Sequence, residues 1–314
     1  MRKIFLSLLV MTAAGTAQGA DLDYDYLRGA DYDPPPAVAL IDWSGVYFGG
    51  HGGYTAGSFA QRKATQSALA NYFFARDIES EFNVSGLVSF PGSRGRGASF
   101  GAFAGYNLQF GDTVVGLEAD YTHTNQTTQS TYSISRAYTT TTTGGMYETV
   151  NLSGTSKTQI EDYGTIRARA GYAIGAFLPY VTAGFAIGQV QFNDTVAVQN
   201  YGYNAPAYAA NQALTTGAPV AVSSHGYASF NQNYPKPYTT PIGGGAQTIP
   251  AAATNVVANN RVKTIGGIAL GFGLEYALTP NILLRGEYQY VNFQSFNGHN
   301  AELNTIRGGA AVKF

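Results

Sequence analysis

The last eleven residues of the chain alternate strictly between two kinds of side chain. In residues 304–314 one face is apolar or small and ends in Phe314, whereas the other face carries both cations, Arg307 and Lys313. A period of two predicts a β-strand. A continuous apolar face on a terminal edge strand is a hazard in a soluble domain. The pattern favours a strand that closes a membrane barrel, with lipid outside and a polar lumen inside.

Composition supports a barrel. Only 12% of the 314 residues are charged, against about 25% in an average globular protein. The chain contains 39 Gly and 23 Tyr, and its mean hydropathy is −0.09. No apolar run beyond the first twenty residues approaches the roughly 20 residues that a membrane helix needs. Low charge, abundant Gly and Tyr and no spanning helix together favour strands as the membrane-crossing elements.

Seven further segments alternate in the same way, which predicts eight strands. The eight predicted strands are residues 43–54, 99–110, 113–124, 162–174, 177–191, 263–277, 282–290 and 304–314. Long polar connections (about 55–98, 125–161 and 192–262) and a shorter one (291–303) alternate with short turns. This is the plan of an all-β, eight-stranded antiparallel transmembrane barrel with long extracellular loops, periplasmic turns and both termini in the periplasm. Residues 72–90 and 127–143 are expected to extend strands beyond the membrane as hairpins.

The N-terminal 42 residues carry two other signals. Residues 1–20 combine Arg2 and Lys3 with a short apolar run and small residues near Gly19, which predicts a cleaved secretory signal peptide. Residues 21–42 are acidic and contain three consecutive prolines, so we expect an extended or disordered periplasmic linker. The barrel then occupies residues 43–314.

Charged residues in the middle of the predicted strands fall on the face opposite the apolar one. They are Glu118, Asp120, Arg167, Arg169, Glu275, Arg285, Glu287 and Arg307. Similar heights along the strands place them in one layer inside the lumen. We expect Glu118 and Asp120 to pair with Arg167 and Arg169, and Glu287 to pair with Arg307. Because unpaired charges there would be costly, the lumen should be plugged by ion pairs.

Three stretches carry a resemblance to a known family. They are Asp-Trp-Ser-Gly-Val-Tyr-Phe-Gly-Gly at 42–50, Gly-Ala-Phe-Ala-Gly-Tyr-Asn-Leu-Gln at 101–109 and Val-Gly-Leu-Glu-Ala-Asp-Tyr at 115–121. With the C-terminal Phe314, they resemble the small outer-membrane immunogenic proteins of alphaproteobacteria. The resemblance implies an eight-stranded barrel similar in plan to the transmembrane domain of outer membrane protein A. It also implies a bacterial outer membrane with its lipid and lipopolysaccharide, and an assembly machinery that reads the terminal strand.

The sequence offers little support for catalysis, cofactors or nucleic-acid binding. The chain has no Cys, no metal-binding His pair, no nucleophile elbow and no phosphate-binding loop. Glu118 and Asp120 could imitate a catalytic carboxylate pair, but the neighbouring arginines favour a structural network. Without residues 1–20 the chain has 18 − 2 = 16 basic and 19 acidic residues, a balance of −3 that gives no attraction to nucleic acid. We therefore expect a protein that is not an enzyme, with an extracellular Asp/His hydrolytic site as the lesser alternative, and with no resident metal or cofactor.

Two functional interpretations remain open. The first is a structural surface protein whose loops are displayed for antigen, adhesion or contact with host or environmental ligands. The second is a small-solute porin or a haem-binding protein, which the family resemblance implies, with His123, His225, His299 and many loop Tyr to supply axial ligands and stacking surfaces. A wide porin needs about 16–18 strands, so eight strands disfavour a general-diffusion channel.

Overall fold

The computed structural model describes residues 41–232 and 248–314 of the chain. Within these two ranges, eight long strands form a closed antiparallel ring, which confirms the predicted all-β barrel. They are β1 (Gly45–Ala60), β2 (Ser93–Phe110), β3 (Thr113–Thr139), β4 (Met146–Tyr172), β5 (Phe177–Asn204), β6 (Thr254–Ala277), β7 (Ile282–Phe296) and β8 (His299–Lys313). The predicted signal peptide and residues 21–40 of the predicted linker lie outside the described residues.

The last strand closes the ring. Strand β8 pairs with β1 from Lys313 opposite Tyr47 to Asn300 opposite Ala60. The amide of Phe314 donates to the carbonyl of Val46 at 2.9 Å. The alternation that predicted a closing strand therefore has its counterpart in a continuous ladder between the first and last strands.

The outer face of the ring is apolar and exposed. Phe185 is 74% exposed and Ile306 is 70% exposed. Further exposed apolar side chains on this face are Phe48, Phe100, Leu117, Ile166, Val181, Phe272 and Leu284. Such a band around a closed ring is the surface that a lipid bilayer covers. Among residues 41–232 and 248–314, no helix has the length and apolar character needed to cross a membrane.

Four neighbouring strands continue far beyond the ring. Strands β3, β4, β5 and β6 have 27, 27, 28 and 24 residues, whereas a strand of about 9–11 residues crosses a bilayer. The pairing of β2 with β3 ends at Ser99 and Thr124, but the β3–β4 pairing continues to Thr139 and Tyr147. The four extensions form one curved sheet, which we call the wall. Residues 125–161, expected as a loop with a hairpin at 127–143, therefore lie in β3, β4 and their turn.

Two irregularities mark the level at which the wall leaves the ring. The β3–β4 register shifts between His123 and Gln126, and the β4–β5 register shifts between Ile160 and Tyr163. Bulges bend a strand and increase its twist, and they are common at barrel rims. The two bulges lie side by side because Gln126 pairs with Ile160.

The connection between β1 and β2 is helical, so the expected hairpin at 72–90 is wrong. It contains α1 (Gln66–Tyr72), α2 (Asp77–Phe82) and a 3₁₀ turn (Val84–Leu87). Its buried apolar side chains pack against the inner face of the wall, where they meet Val150, Leu152, Val196 and Val198. They are Leu69, Phe73, Ile78, Val84, Val88 and Phe90. Each fully buried large apolar side chain contributes about 1.5–3 kcal/mol, so the segment is held firmly inside the wall.

The remaining connections are of two kinds. The predicted loop at 291–303 is mostly strand, because β7 and β8 meet in a tight turn at Asn297 and Gly298. Both residues have positive φ, 47° and 79°, as a two-residue hairpin turn requires. The described part of the β5–β6 connection contains α3 (Ala205–Ala213) and the short strands Ser224–His225, Tyr227–Ser229 and Ile249–Pro250.

The two ends of the barrel differ in their connections. We call the end with the long connections the loop end. The opposite end, with turns near 111–112, 173–176 and 278–281, is the turn end.

Candidate functional site

All eight charged residues singled out in the sequence lie together inside the lumen. They come from β3, β4, β6, β7 and β8, and their side chains are at most 2% exposed. Four arginines face four carboxylates, so the layer carries no formal net charge. Burial of this kind is tolerated when each charge has a close partner.

Three of the contacts join neighbouring strands. Arg167 Nη2 lies 2.6 Å from Glu118 Oε1, as expected. Arg307 Nη2 lies 3.0 Å from Glu287 Oε1, also as expected. Arg285 Nη2 lies 2.5 Å from Glu275 Oε1. Each of these pairs occupies directly opposite positions in its ladder, so strand register alone brings the charges together.

Four other contacts cross the lumen between strands that are not neighbours. Arg285 Nη2 of β7 lies 2.7 Å from Glu118 Oε2 of β3. The other three crossings are Arg307 to Asp120, Arg167 to Glu287 and Arg169 to Glu275. Because each crossing connects two separate parts of the ring, the network cross-links strands that are not hydrogen-bonded to one another.

One expected pairing is wrong. Asp120 was assigned to Arg167 and Arg169, but its carboxylate pairs with Arg307 at 2.5 Å and lies 3.2 Å from His51 Nε2. Asp120 stands opposite Thr165 in the ladder, so Arg167 is the direct cross-strand partner of Glu118. Arg307 reaches Asp120 from across the lumen, which sequence spacing could not show.

Aromatic side chains that the sequence pattern does not indicate complete the charged layer. The hydroxyl of Tyr47 donates to Glu118 Oε2 at 2.9 Å, and that of Tyr180 donates to Glu287 Oε2 at 2.8 Å. The guanidinium of Arg169 lies 4.1 Å from the ring centre of Tyr180. The sequence signal for Tyr180 is the inward glycine Gly273, its ladder partner on the neighbouring strand β6. A Cβ at Gly273 would lie 2.6 Å from the tyrosine hydroxyl. Inward glycines therefore make room for other side chains.

Apolar layers close the lumen on both sides of the charged layer. Towards the turn end, the layer contains Trp43, Tyr47, Phe103, Val114, Leu178 and Leu283. Towards the loop end, it contains Phe59, Ile160, Tyr163, Val190, Phe293 and Leu303. An eight-stranded barrel is just wide enough for side chains to fill its interior, and here they do so at three successive levels.

The three histidines considered as haem ligands each contact a carboxylate. His123 Nδ1 lies 2.7 Å from Asp162 and His225 Nε2 lies 3.5 Å from Glu148. His299 is buried, with Nε2 2.9 Å from Asp194 Oδ2 and Nδ1 3.1 Å from Thr158 Oγ1. Within the part of the chain that the structure describes, no group of three or more His, Asp or Glu is placed to hold a metal ion.

A cleft of about 820 Å³ opens at the loop end. It lies between the helical β1–β2 connection, the β3–β4 turn and the β5–β6 connection. Arg76 lies over the ring of Tyr72 at 5.0 Å and donates to Asn200 at 3.0 Å. Burial raises the pKa of Glu148, but hydrogen bonds from His225 and Asn200 outweigh it and leave that pKa below its ordinary value. The cleft thus presents a cation, anions, amides and an aromatic face together.

A matching family model and two sequence relatives agree with this architecture. A family model described as outer membrane protein beta-barrel domain matches residues 6–314. The chain is 26% identical to a 31 kDa outer-membrane immunogenic protein of Brucella melitensis, with full coverage of both chains. It is also 26% identical to a 22 kDa outer membrane protein of Rhizobium leguminosarum, over 54% of this chain and 56% of that one. The attachment invasion locus protein of Yersinia pestis aligns over 85% of this chain and 99% of its own, at 11% identity and a TM-score of 0.31.

Proposed function

The chain belongs to the outer membrane protein β-barrel domain family, and on that premise we propose that it is a non-conducting anchor for a rigid platform at the cell surface. It is an outer-membrane barrel protein, and the family resemblance noted in the sequence is confirmed by its immunogenic outer-membrane relatives. In this proposal the ring and the wall have different roles. The ring holds the protein in the membrane, and the wall with its enclosed helices presents the surface that meets other molecules.

The filled lumen is the observation that carries this proposal. The side chains of the ion-pair layer are at most 2% exposed to solvent. The apolar layers on each side of it contain large aromatic and aliphatic side chains. An ion entering this path would have to displace side chains that already satisfy one another's charge. Water and ions therefore lack a continuous polar route.

The alternatives receive less support. A small-solute porin needs an open path. The space beside inward glycines such as Gly273 is filled by the side chains of neighbouring strands. A haem-binding role needs an accessible axial ligand. His299 is buried, and His123 and His225 each contact a carboxylate.

The proposed partners follow from these two roles. Lipid and lipopolysaccharide surround the apolar outer face, and the assembly machinery recognises β8 with Phe314. Host or environmental ligands are met at the loop end, where the cleft beside Arg76 is the candidate site because it gathers Arg76, Glu148 and Tyr72. We propose no enzymatic reaction and no nucleic-acid partner, since the relatives are named as outer-membrane proteins and the charge balance is slightly acidic.

Planar-bilayer recording of the refolded mature chain tests the closed lumen. We expect rare, small openings for the natural sequence. Replacing Arg167 with Ala removes contacts to Glu118 and Glu287 and should increase their frequency. Replacing Arg136 with Ala is the matched control, because Arg136 is exposed on the wall and donates to the carbonyl of Ser135. Large, stable and frequent openings of the natural chain would reject the proposal and favour the porin.

A further inference from the structure

We propose that Arg94 and Arg96 bind the phosphate group of a membrane lipid in the leaflet at the loop end. This inference rests on the outer-membrane placement and goes beyond the anchoring role, because it concerns which lipid the barrel selects. Both arginines are exposed on the outer face of β2, the face that also carries the lipid-facing Phe100, Tyr106 and Leu108.

Aromatic side chains mark the edge of the apolar band below the two arginines. Tyr54, Phe100 and Tyr121 are 55%, 62% and 54% exposed on the neighbouring strands β1, β2 and β3. Such girdles lie at the interface between hydrocarbon and headgroups. Arg96 is four and Arg94 six residues beyond Phe100, which is ~13 and ~20 Å along the strand and ~9 and ~14 Å along the barrel axis for a tilt near 45°. The headgroup layer is about 5–8 Å thick, and a long arginine side chain can reach back into it.

The two guanidinium groups are free to meet a ligand. Among residues 41–232 and 248–314, neither Arg94 nor Arg96 has an acidic partner within 4 Å. Their ladder partners on β1 are small: Ala56 stands opposite Arg96 and Ser58 opposite Arg94. Small neighbours leave open surface beside the charges, where a headgroup can sit.

Nearby acidic groups are engaged or set apart. The Asp162 carboxylate accepts a hydrogen bond from Tyr121 and contacts His123, and Glu161 accepts from Gln159. Glu302 lies on β8, opposite Ser58 of β1, and Ser58 in turn lies opposite Arg94 of β2. The backbones of Glu302 and Arg94 are therefore two strand spacings apart, or about 9.6 Å.

Arginine suits phosphate. Its planar guanidinium donates two parallel hydrogen bonds to a phosphate, and such charge-assisted bonds are among the strongest in proteins. Basic residues near a membrane surface attract anionic headgroups. A lipid headgroup is favoured over free phosphate because the same face continues directly into the lipid-covered band, which holds the acyl chains in place.

Native mass spectrometry of the full mature chain, released from micelles doped with one lipid, tests the inference. The probe is phosphatidic acid, and the comparison lipid is diacylglycerol with the same acyl chains and no phosphate. We expect retained phosphatidic acid to exceed retained diacylglycerol by about tenfold, and the double variant Arg94→Gln/Arg96→Gln to lose that excess. The variant Arg136→Gln, an exposed arginine farther along the wall, should retain it.

Three results would overturn the assignment. They are equal retention by the double variant, equal retention of diacylglycerol, and displacement of phosphatidic acid by inorganic phosphate at matched concentration, which would indicate a free-anion site. Emission from Trp43, the single tryptophan and fully buried in the barrel, shows whether each variant is folded. Bilayer conductance is measured separately, so failure here leaves the closed-lumen proposal to stand or fall by its own test.

Discussion

Arg307 on β8 and Asp120 on β3 contact each other at 2.5 Å inside the lumen, although two further strands, β1 and β2, separate them around the ring. Their side chains are 1% and 0% exposed. Arg307 also contacts Glu287 on β7, so a single guanidinium connects the strand that closes the ring with two others. The charged layer therefore contributes to closure as well as to blocking the lumen.

Replacing Arg307 with Ala should destabilise the barrel by about 3–5 kcal/mol, because two buried carboxylates lose a partner. Urea unfolding in detergent, followed by the fluorescence of the buried Trp43, measures the change. The matched variant Arg136→Ala, on the exposed part of β3, should change stability by less than about 0.5 kcal/mol. Equal stability of the two variants would show that the network is dispensable for folding.

Replacing Gly273 with Ala should perturb the lumen, whereas Gly266→Ala in the same strand should not. A Cβ at Gly273 would lie 2.6 Å from the Tyr180 hydroxyl, while a Cβ at Gly266 meets nothing within 4 Å. Overpacking of this kind costs about 1–3 kcal/mol. The two variants are compared by urea midpoint. A Gly273→Ala protein as stable as Gly266→Ala would mean that both Tyr180 and the Gly286 carbonyl, which also lies 2.6 Å from the added Cβ, give way freely.

Glu81 should hold the β3–β4 turn in a pH-dependent way. Hydrogen bonds from Thr142 and Thr141 lower the pKa of Glu81 from 4.5 to about 2. The contact is therefore complete above pH 4.5 and is lost as the pH falls towards 2. Hydrogen-exchange protection of the two threonine amides, measured between pH 5 and pH 2, should fall with protonation. The variant Glu81→Gln should remove this pH dependence, and a natural chain without it would contradict the assignment.

The loop end should face the cell exterior. The chain has no Cys, so single cysteines report position cleanly. A membrane-impermeant maleimide added to intact cells should label Thr216→Cys, in the β5–β6 connection, and should spare Pro280→Cys, in the turn between β6 and β7. Labelling of Pro280→Cys alone would show that the turn end, and not the loop end, faces the cell exterior. External protease should also cleave the β5–β6 connection first, with less cleavage in the helical β1–β2 connection, whose apolar side chains are buried, and in the paired strands.

The membrane-crossing part of the fold was readable from the sequence because two solvents impose a strict alternation. Lipid requires apolar side chains at positions such as Ile166 and Phe272, and the lumen requires the charges between them. Beyond the rim that contrast weakens. The outer face of the wall meets water, and the inner face of β3 past Gln126 mixes Thr128 and Ser130 with Tyr132 and Ile134, which pack against the helical connection. The alternation is then too weak to distinguish the strand from a polar loop.

Other differences have local causes. The turn at Asn297 and Gly298 lies within a polar stretch whose weak alternation predicts a loop, although Asn-Gly itself is a hairpin signal. The helices around Leu69 and Phe73 are short, and tertiary packing against Val150 and Val196 sustains them more than their own propensity does. The partner of Asp120 depends on which side chains reach across the lumen, and ladder register gives no information about that.

The continuity of β3, β4, β5 and β6 from the membrane into the wall has a mechanical consequence. A molecule that grips the tip and pulls away from the cell applies tension along these strands. Inter-strand hydrogen bonds lie perpendicular to that direction, so the load falls on many of them at once, in shear, and cannot peel them apart one by one. The protein is in this respect a stiff tether, whose resistance to force grows with the length of strand that its four longest elements share.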